Sequence, residues 1–126
     1  MMNVLVVDPI YSHLCSFVDF FANYGCKSCG FQLTSDALEY CEQGFVPQLL
    51  LVGADSKGEV FGVPLWKIGF CFASTLRERK PYMIALDVFK QRVHKALCEE
   101  VGFDVYDQKP IQLHRLLTWI KEAERV

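Results

Sequence analysis

Five short apolar runs, each followed by a stretch of helical period, constrain this chain more than any other feature. The runs are "NVLVV" (3–7), "CKSCG" (26–30, the weakest), "LLLV" (49–52), "YMIAL" (82–86) and "FDVY" (103–106). The stronger ones are apolar on consecutive residues, as strands covered on both faces are. Between them the apolar residues recur at three- and four-residue spacing. Ile10, Leu14, Phe17, Val18 and Phe21 predict a helix over 10–24, stopped at Gly25. "TSDALEYCEQG" opens on capping residues and closes at Gly44, a second helix. Leu65, Ile68, Phe72 and Leu76 mark a third, entered at Pro64 and running to about Arg77. Phe89, Val93, Ala96 and Leu97 are the expected inner face of a fourth over 88–100. Leu113, Leu116, Leu117 and Ile120 are that of a fifth over 111–124.

Regular alternation of this kind predicts an α/β fold, a (βα)5 doubly wound parallel sheet of five strands in the order 2-1-3-4-5. The 126 residues suit one domain, 1–126. Such sheets bind ligands at the carboxyl ends of their strands, near the switch between strands 1 and 3. The residues expected there are Asp8-Pro9, Gly53 to Asp55, Asp87, and the segment up to Lys109-Pro110.

Composition removes several function classes. With 13 basic and 15 acidic residues, no cationic excess favours direct nucleic-acid contact. No run approaches the roughly 18 apolar residues of a bilayer span. "MMNVLVVDP" lacks a basic leader and is broken at Asp8, so it reads as neither signal peptide nor anchor, and a cytoplasmic location is expected. The six cysteines are expected to be reduced, mostly buried, small hydrophobes. "CKSC" (26–29) has knuckle spacing, but on a strand Cys26 and Cys29 point to opposite faces and cannot share an ion. His13, His94 and His114 fall on three helices with no visible partner and are expected to be exposed. "DPIYSH" stands where a nucleotide-binding domain would carry a Gly-rich phosphate loop, so a nucleotide- or small-molecule-binding reading ranks last.

Four stretches carry a resemblance: "VLVVDP" (4–9), "PQLLLVG" (47–53), "KPYMIALD" (80–87) and "GFDVYDQKPIQL" (102–113). In order and spacing the chain resembles the receiver domain of two-component response regulators, the CheY-like family. The resemblance implies an aspartate phospho-acceptor ending strand 3 and an acidic pair after strand 1 that holds Mg2+. It also implies a hydroxyl after strand 4 and a Lys before Pro, both contacting the phosphoryl group. An aromatic residue on strand 5 would report the change to partners on the face of helix 4, strand 5 and helix 5.

At most of those positions the residues differ. Gly53 stands at the acceptor, Pro9 replaces the second acid beside Asp8, and Asp87 takes the hydroxyl position; only Lys109 and Tyr106 match. Glycine offers no nucleophile. A carboxylate at 87 would face phosphoryl oxygens at a cost on the order of 4 kcal/mol for like charges about 4 Å apart. The expectation is therefore a pseudo-receiver, not an enzyme and without a cofactor, that signals by protein–protein contact. Lys109 is expected to pair with Asp8, Asp87 or both. Asp55 is the alternative phospho-acceptor, with Mg2+, because a shift of two residues keeps the strand face; its other reading is a turn carboxylate. Asp8, Asp55 and Asp87 could also gather round a divalent cation.

Trp66 and Phe70, at i and i+4, lie off the core stripe of the third helix, and Trp119 is similarly placed on the fifth, with Tyr106 expected near it. Phe20 is another apolar residue off its helix's inner face. Together they suggest a surface for a protein partner, an output domain or a second copy of the chain. The chain is read either as complete or as the N-terminal domain of a longer regulator.

Overall fold

In a computed structural model, described for residues 1–125, all five apolar runs form strands of one sheet. The elements are β1 (Asn3–Val7), α1 (Tyr11–Asn23), β2 (Lys27–Phe31), α2 (Thr34–Glu42), β3 (Leu49–Gly53), β4 (Glu59–Val60), β5 (Val63–Pro64), α3 (Leu65–Thr75), β6 (Tyr82–Asp87), α4 (Arg92–Val101), β7 (Val105–Gln108) and α5 (Leu113–Glu124). A short 3-10 turn, Arg77–Arg79, follows α3. The sheet runs β2-β1-β3-β6-β7, all parallel. Counting its long strands alone, this is the expected order 2-1-3-4-5.

Continuous apolar runs put alternate residues on the two faces, each covered by helices. Leu5, Val7, Leu50, Val52, Met83 and Ala85 pack against Ile68 and Phe72 of α3. Val4, Val6, Leu49, Leu51, Ile84 and Leu86 pack on Leu14 and Phe21 of α1 and Leu116 of α5. Leu65, Ile68, Phe72 and Leu76 are all buried, as their spacing predicts. Cys26 and Cys29 belong to opposite layers, and all six cysteines are free. Three cysteines, Cys26, Cys41 and Cys98, are buried; the others are half-buried.

Several expectations need correction. Residues 88–91 are not helical, and α4 begins at Arg92. That segment bends at Val88 and Phe89 and is extended at Gln91: the Gln91 N–H donates to the Tyr106 hydroxyl (3.4 Å) and Gln108 Nε2 donates to the Val88 carbonyl (2.9 Å). The inner face of α4 is consequently His94, Leu97, Cys98 and Val101, while Phe89, Val93 and Ala96 are exposed. On α5 the inner stripe is Leu116, Trp119, Ile120 and Ala123, and Leu113 is exposed. No side chain caps α2: its N-cap is Leu33, and the buried Thr34 hydroxyl has no partner. The loop after β3 folds into a two-residue hairpin, β4–β5, with Phe61 and Gly62 both at positive φ (47° and 82°).

Candidate functional site

Parallel strands deliver their carboxyl ends to one edge, and the sequence-predicted residues meet there. Asp8 follows β1, Gly53 ends β3, Asp87 ends β6 and Lys109 follows β7. Asp8 and Asp87 are sealed from solvent and Lys109 is nearly so.

Lys109 crosses the end of β3 to reach Asp8. Its Nζ lies 2.7 Å from Asp8 Oδ2, 3.0 Å from the Ala54 carbonyl and 3.0 Å from His13 Nδ1. An ammonium has three N–H groups, so each is used. Asp8 Oδ1 accepts from the Ile10 backbone N–H at 2.9 Å. Lys109 does not reach the Asp87 carboxylate; its backbone N–H instead donates to the Asp87 carbonyl at 2.7 Å. The Lys109–Pro110 peptide is cis.

Gly53 is lodged beneath this pair. A Cβ built on it would lie 2.2 Å from Asp8 Oδ2 and 2.9 Å from Lys109 Cε. The space an acceptor side chain would need is filled by its neighbours.

Asp87 heads a second cluster. Its Oδ2 accepts from the Tyr106 hydroxyl at 2.6 Å and lies 3.3 Å from His94 Nδ1; its Oδ1 accepts from the Val88 N–H at 2.8 Å. Gly58 lies over both residues, a Cβ there coming within 3.3 Å of Asp87 Oδ1 and 3.6 Å of His94 Cε1. Burial, then the hydrogen bond to Asp87, pushes the Tyr106 phenol well above its ordinary value. His13 and His94, expected to be unpartnered, each complete one cluster. The signal was topological: both lie near the starts of helices that leave the carboxyl edge of the sheet. His114 is exposed as expected.

Asp55 is committed to the turn. Its Oδ1 accepts from the backbone N–H groups of Lys57 (2.8 Å) and Glu59 (3.1 Å), and its own N–H donates to the Glu59 carbonyl (2.8 Å). The residues present do not fit the Mg2+ of a working receiver. That ion wants carboxylate oxygens, yet Asp8 is tied to Lys109 and positions 9 and 53 supply none. Among the described residues, no group of three or more His, Cys, Asp and Glu side chains is placed to hold a metal, so Asp8, Asp55 and Asp87 do not gather round a cation.

The aromatic residues divide. Trp66 and Phe70 are exposed on α3 as expected. Trp119 is buried, because the inner stripe of α5 runs through it, and Tyr106 is buried in the opposite layer of the sheet. They neither approach each other nor present a surface to a partner. Phe20 is half-buried beside α5 residues. On β7, Asp107 pairs with Lys90 (3.1 Å) and Arg115. Burial alone would raise its carboxyl, but the Gln108 N–H and these two cations outweigh it and hold it below its ordinary value.

No protein-family model and no curated protein matches the chain in sequence. Solved structures do match in shape. One is a CheY-like response regulator receiver domain protein from Methanospirillum hungatei JF-1, 18% identical, with a TM-score of 0.84 over 99% of this chain and 95% of that one. A two-component response regulator from Clostridium difficile is 13% identical, with a TM-score of 0.85 over 99% and 97%. A beryllofluoride-activated NtrC4 receiver domain dimer is 17% identical, with a TM-score of 0.84 over 98% and 96%. The fold is the CheY-like receiver fold. At these identities the likeness shows the fold alone, so what this receiver fold does rests on its own residues. Among the described residues, no helix is long and apolar enough to cross a membrane.

Proposed function

We propose that the chain is a pseudo-receiver, a signalling module that works through protein contact and without phosphorylation. The observation that carries this reading is the filled space at Gly53: the Asp8 carboxylate and the Lys109 stem stand where an acceptor side chain and its phosphoryl group would be. Lys109 spends all three donors on groups of the protein, leaving none for phosphoryl oxygens. The Tyr106 hydroxyl, held by Asp87, keeps that aromatic inward in a single state.

On this reading the chain is not an enzyme and needs no cofactor. It acts in the cytoplasm beside an output domain or a separate protein, without touching nucleic acid or membrane itself. The contact face is that of α4, β7 and α5, through Phe89 and Val93 in place of the buried Trp119 and Tyr106. A homodimer through this face is one form the contact takes. Trp66 and Phe70 offer a second apolar patch on α3.

The competing reading, an acceptor at Asp55 with Mg2+, requires that carboxylate to leave two backbone N–H groups. Amide NMR spectra with Mg2+ and beryllofluoride separate the two. An unchanged spectrum is expected. Saturable shifts around Asp55, Asp87 and Lys109 that disappear in Asp55→Asn would establish the competing reading.

A further inference from the structure

The face of α4 and β7 carries a cationic notch. Lys90, Gln91, Arg92, Lys95 and Tyr106 line it, around about 160 Å³. Small-molecule sites run to roughly 300–1,000 Å³, so the notch suits a single side chain of a larger partner. Its charge is not spent within the chain. Lys90 and Arg115 share one carboxylate, Asp107. Lys95 meets only Glu99, at 3.9 Å, with both side chains more than half exposed. Arg92 has no ion pair among the described residues. Four cations thus face two carboxylates. Phe89, 60% exposed, adds an apolar contact just ahead of the notch in the chain.

The opposite charge lies on α2. Asp36, Glu39 and Glu42 recur every three residues on its exposed side, and none has a cationic partner among the described residues. Asp36 suits the first turn of a helix. Glu42, at the other end, opposes the helix dipole, and Glu39 and Glu42 at i and i+3 repel each other. These charges cost α2 stability, and no ion pair inside the chain offsets them. Leu33, 44% exposed, heads the same helix. The two surfaces lie apart: α2 packs on β2 and β1, α4 packs on β7, and α3 contacts both helices. β2 and β7 are the two edge strands of the sheet. One copy can therefore offer α2 to a neighbour while its own notch stays free.

We infer that the α4–β7 notch is a docking site for the acidic face of α2 on a second copy of this chain, with Glu39 of one copy entering among Lys90, Arg92 and Lys95 of the next. Different surfaces meet, so the association is head-to-tail and open-ended, unlike a closed two-fold pair. The inference rests on the α4–β7–α5 contact face of the proposed function and not on the absence of phosphorylation.

The test is sedimentation of the whole chain at rising concentration. At low salt the average mass is expected to pass twice that of one chain as concentration approaches ~1 mM. It should fall back towards one chain in ~1 M salt, where the Debye length is about 3 Å. Arg92→Glu and Glu39→Lys, both at exposed positions, each weaken association by about tenfold or more, because an attraction becomes a repulsion. Neither lowers the urea unfolding midpoint. Equimolar mixing of the two variants restores association, since each supplies the face that the other lacks. A wild-type chain that stays single at ~1 mM overturns the inference; the beryllofluoride experiment still decides the pseudo-receiver reading by itself. Glu39→Lys that associates as wild type also overturns it, and assigns the contact to two α4–β7–α5 faces instead. Association that ~1 M salt does not weaken overturns it as well.

Discussion

Lys109 and Asp8 are 101 residues apart in the chain and meet at 2.7 Å, both almost wholly removed from solvent. A buried pair of this kind is costly to break, because the survivor is left charged and unpartnered. Lys109→Met should therefore destabilise the fold by about 3–5 kcal/mol. Replacing both, Asp8→Leu with Lys109→Met, should recover most of that loss, since apolar residues of similar volume need no partner. Urea unfolding of the three proteins reads both effects; equal losses for the single and double variants would mean that the pairing is not what matters.

Gly53 gives a second, independent measure of the same packing. One methyl there meets Asp8 Oδ2 at 2.2 Å. Gly53→Ala is expected to cost about 1–3 kcal/mol by overpacking, although alanine is ordinarily well tolerated at a strand end. A neutral Gly53→Ala, by the same urea midpoint, would show that Asp8 and Lys109 yield easily and that the space is available.

The Tyr106 hydroxyl donates to the buried Asp87 carboxylate at 2.6 Å. Tyr106→Phe should cost about 1–3 kcal/mol near neutral pH. The phenol's folded pKa is raised, so its contribution is present below the unfolded value of about 10 and is lost as pH rises through the folded value. The gap between wild type and Tyr106→Phe should accordingly shrink at strongly alkaline pH in unfolding experiments. A pH-independent gap would assign the loss to packing instead.

Asp107 has the opposite sign. Its folded carboxyl is held below its ordinary value, so its stabilisation is present above the unfolded value of about 3.9 and disappears as pH falls through the folded one. Asp107→Asn should flatten the acid limb of the stability curve below about pH 4. Because Lys90 and Arg115 are about half exposed, added salt should reduce the difference at neutral pH.

The sheet was legible because burial on both faces writes itself as continuous apolar runs, and the strand order followed from handedness. The carboxyl-edge residues Asp8, Gly53, Asp87 and Lys109 were legible for the same reason: strand ends place them whatever the side chains do. The inner faces of α4 and α5 were not. Each offers two overlapping apolar stripes, and the choice between Phe89/Val93 and Leu97/Cys98, or between Leu113 and Trp119, is made by tertiary packing. The 88–91 segment is drawn away from helix by Tyr106 and Gln108, partners that arrive only with β7. His13 and His94 read as unpartnered because their partners, Lys109 and Asp87, lie far along the chain or across a loop. That Asp8 fills the space at Gly53 is a statement about a few ångströms, which residue spacing does not encode.

Whether this receiver fold accepts a phosphoryl group is decided by the intact mass of the chain after incubation with acetyl phosphate and Mg2+. An unchanged mass is expected for wild type and for Asp55→Asn alike. A gain of one phosphoryl group in wild type, absent from Asp55→Asn, would overturn the pseudo-receiver reading.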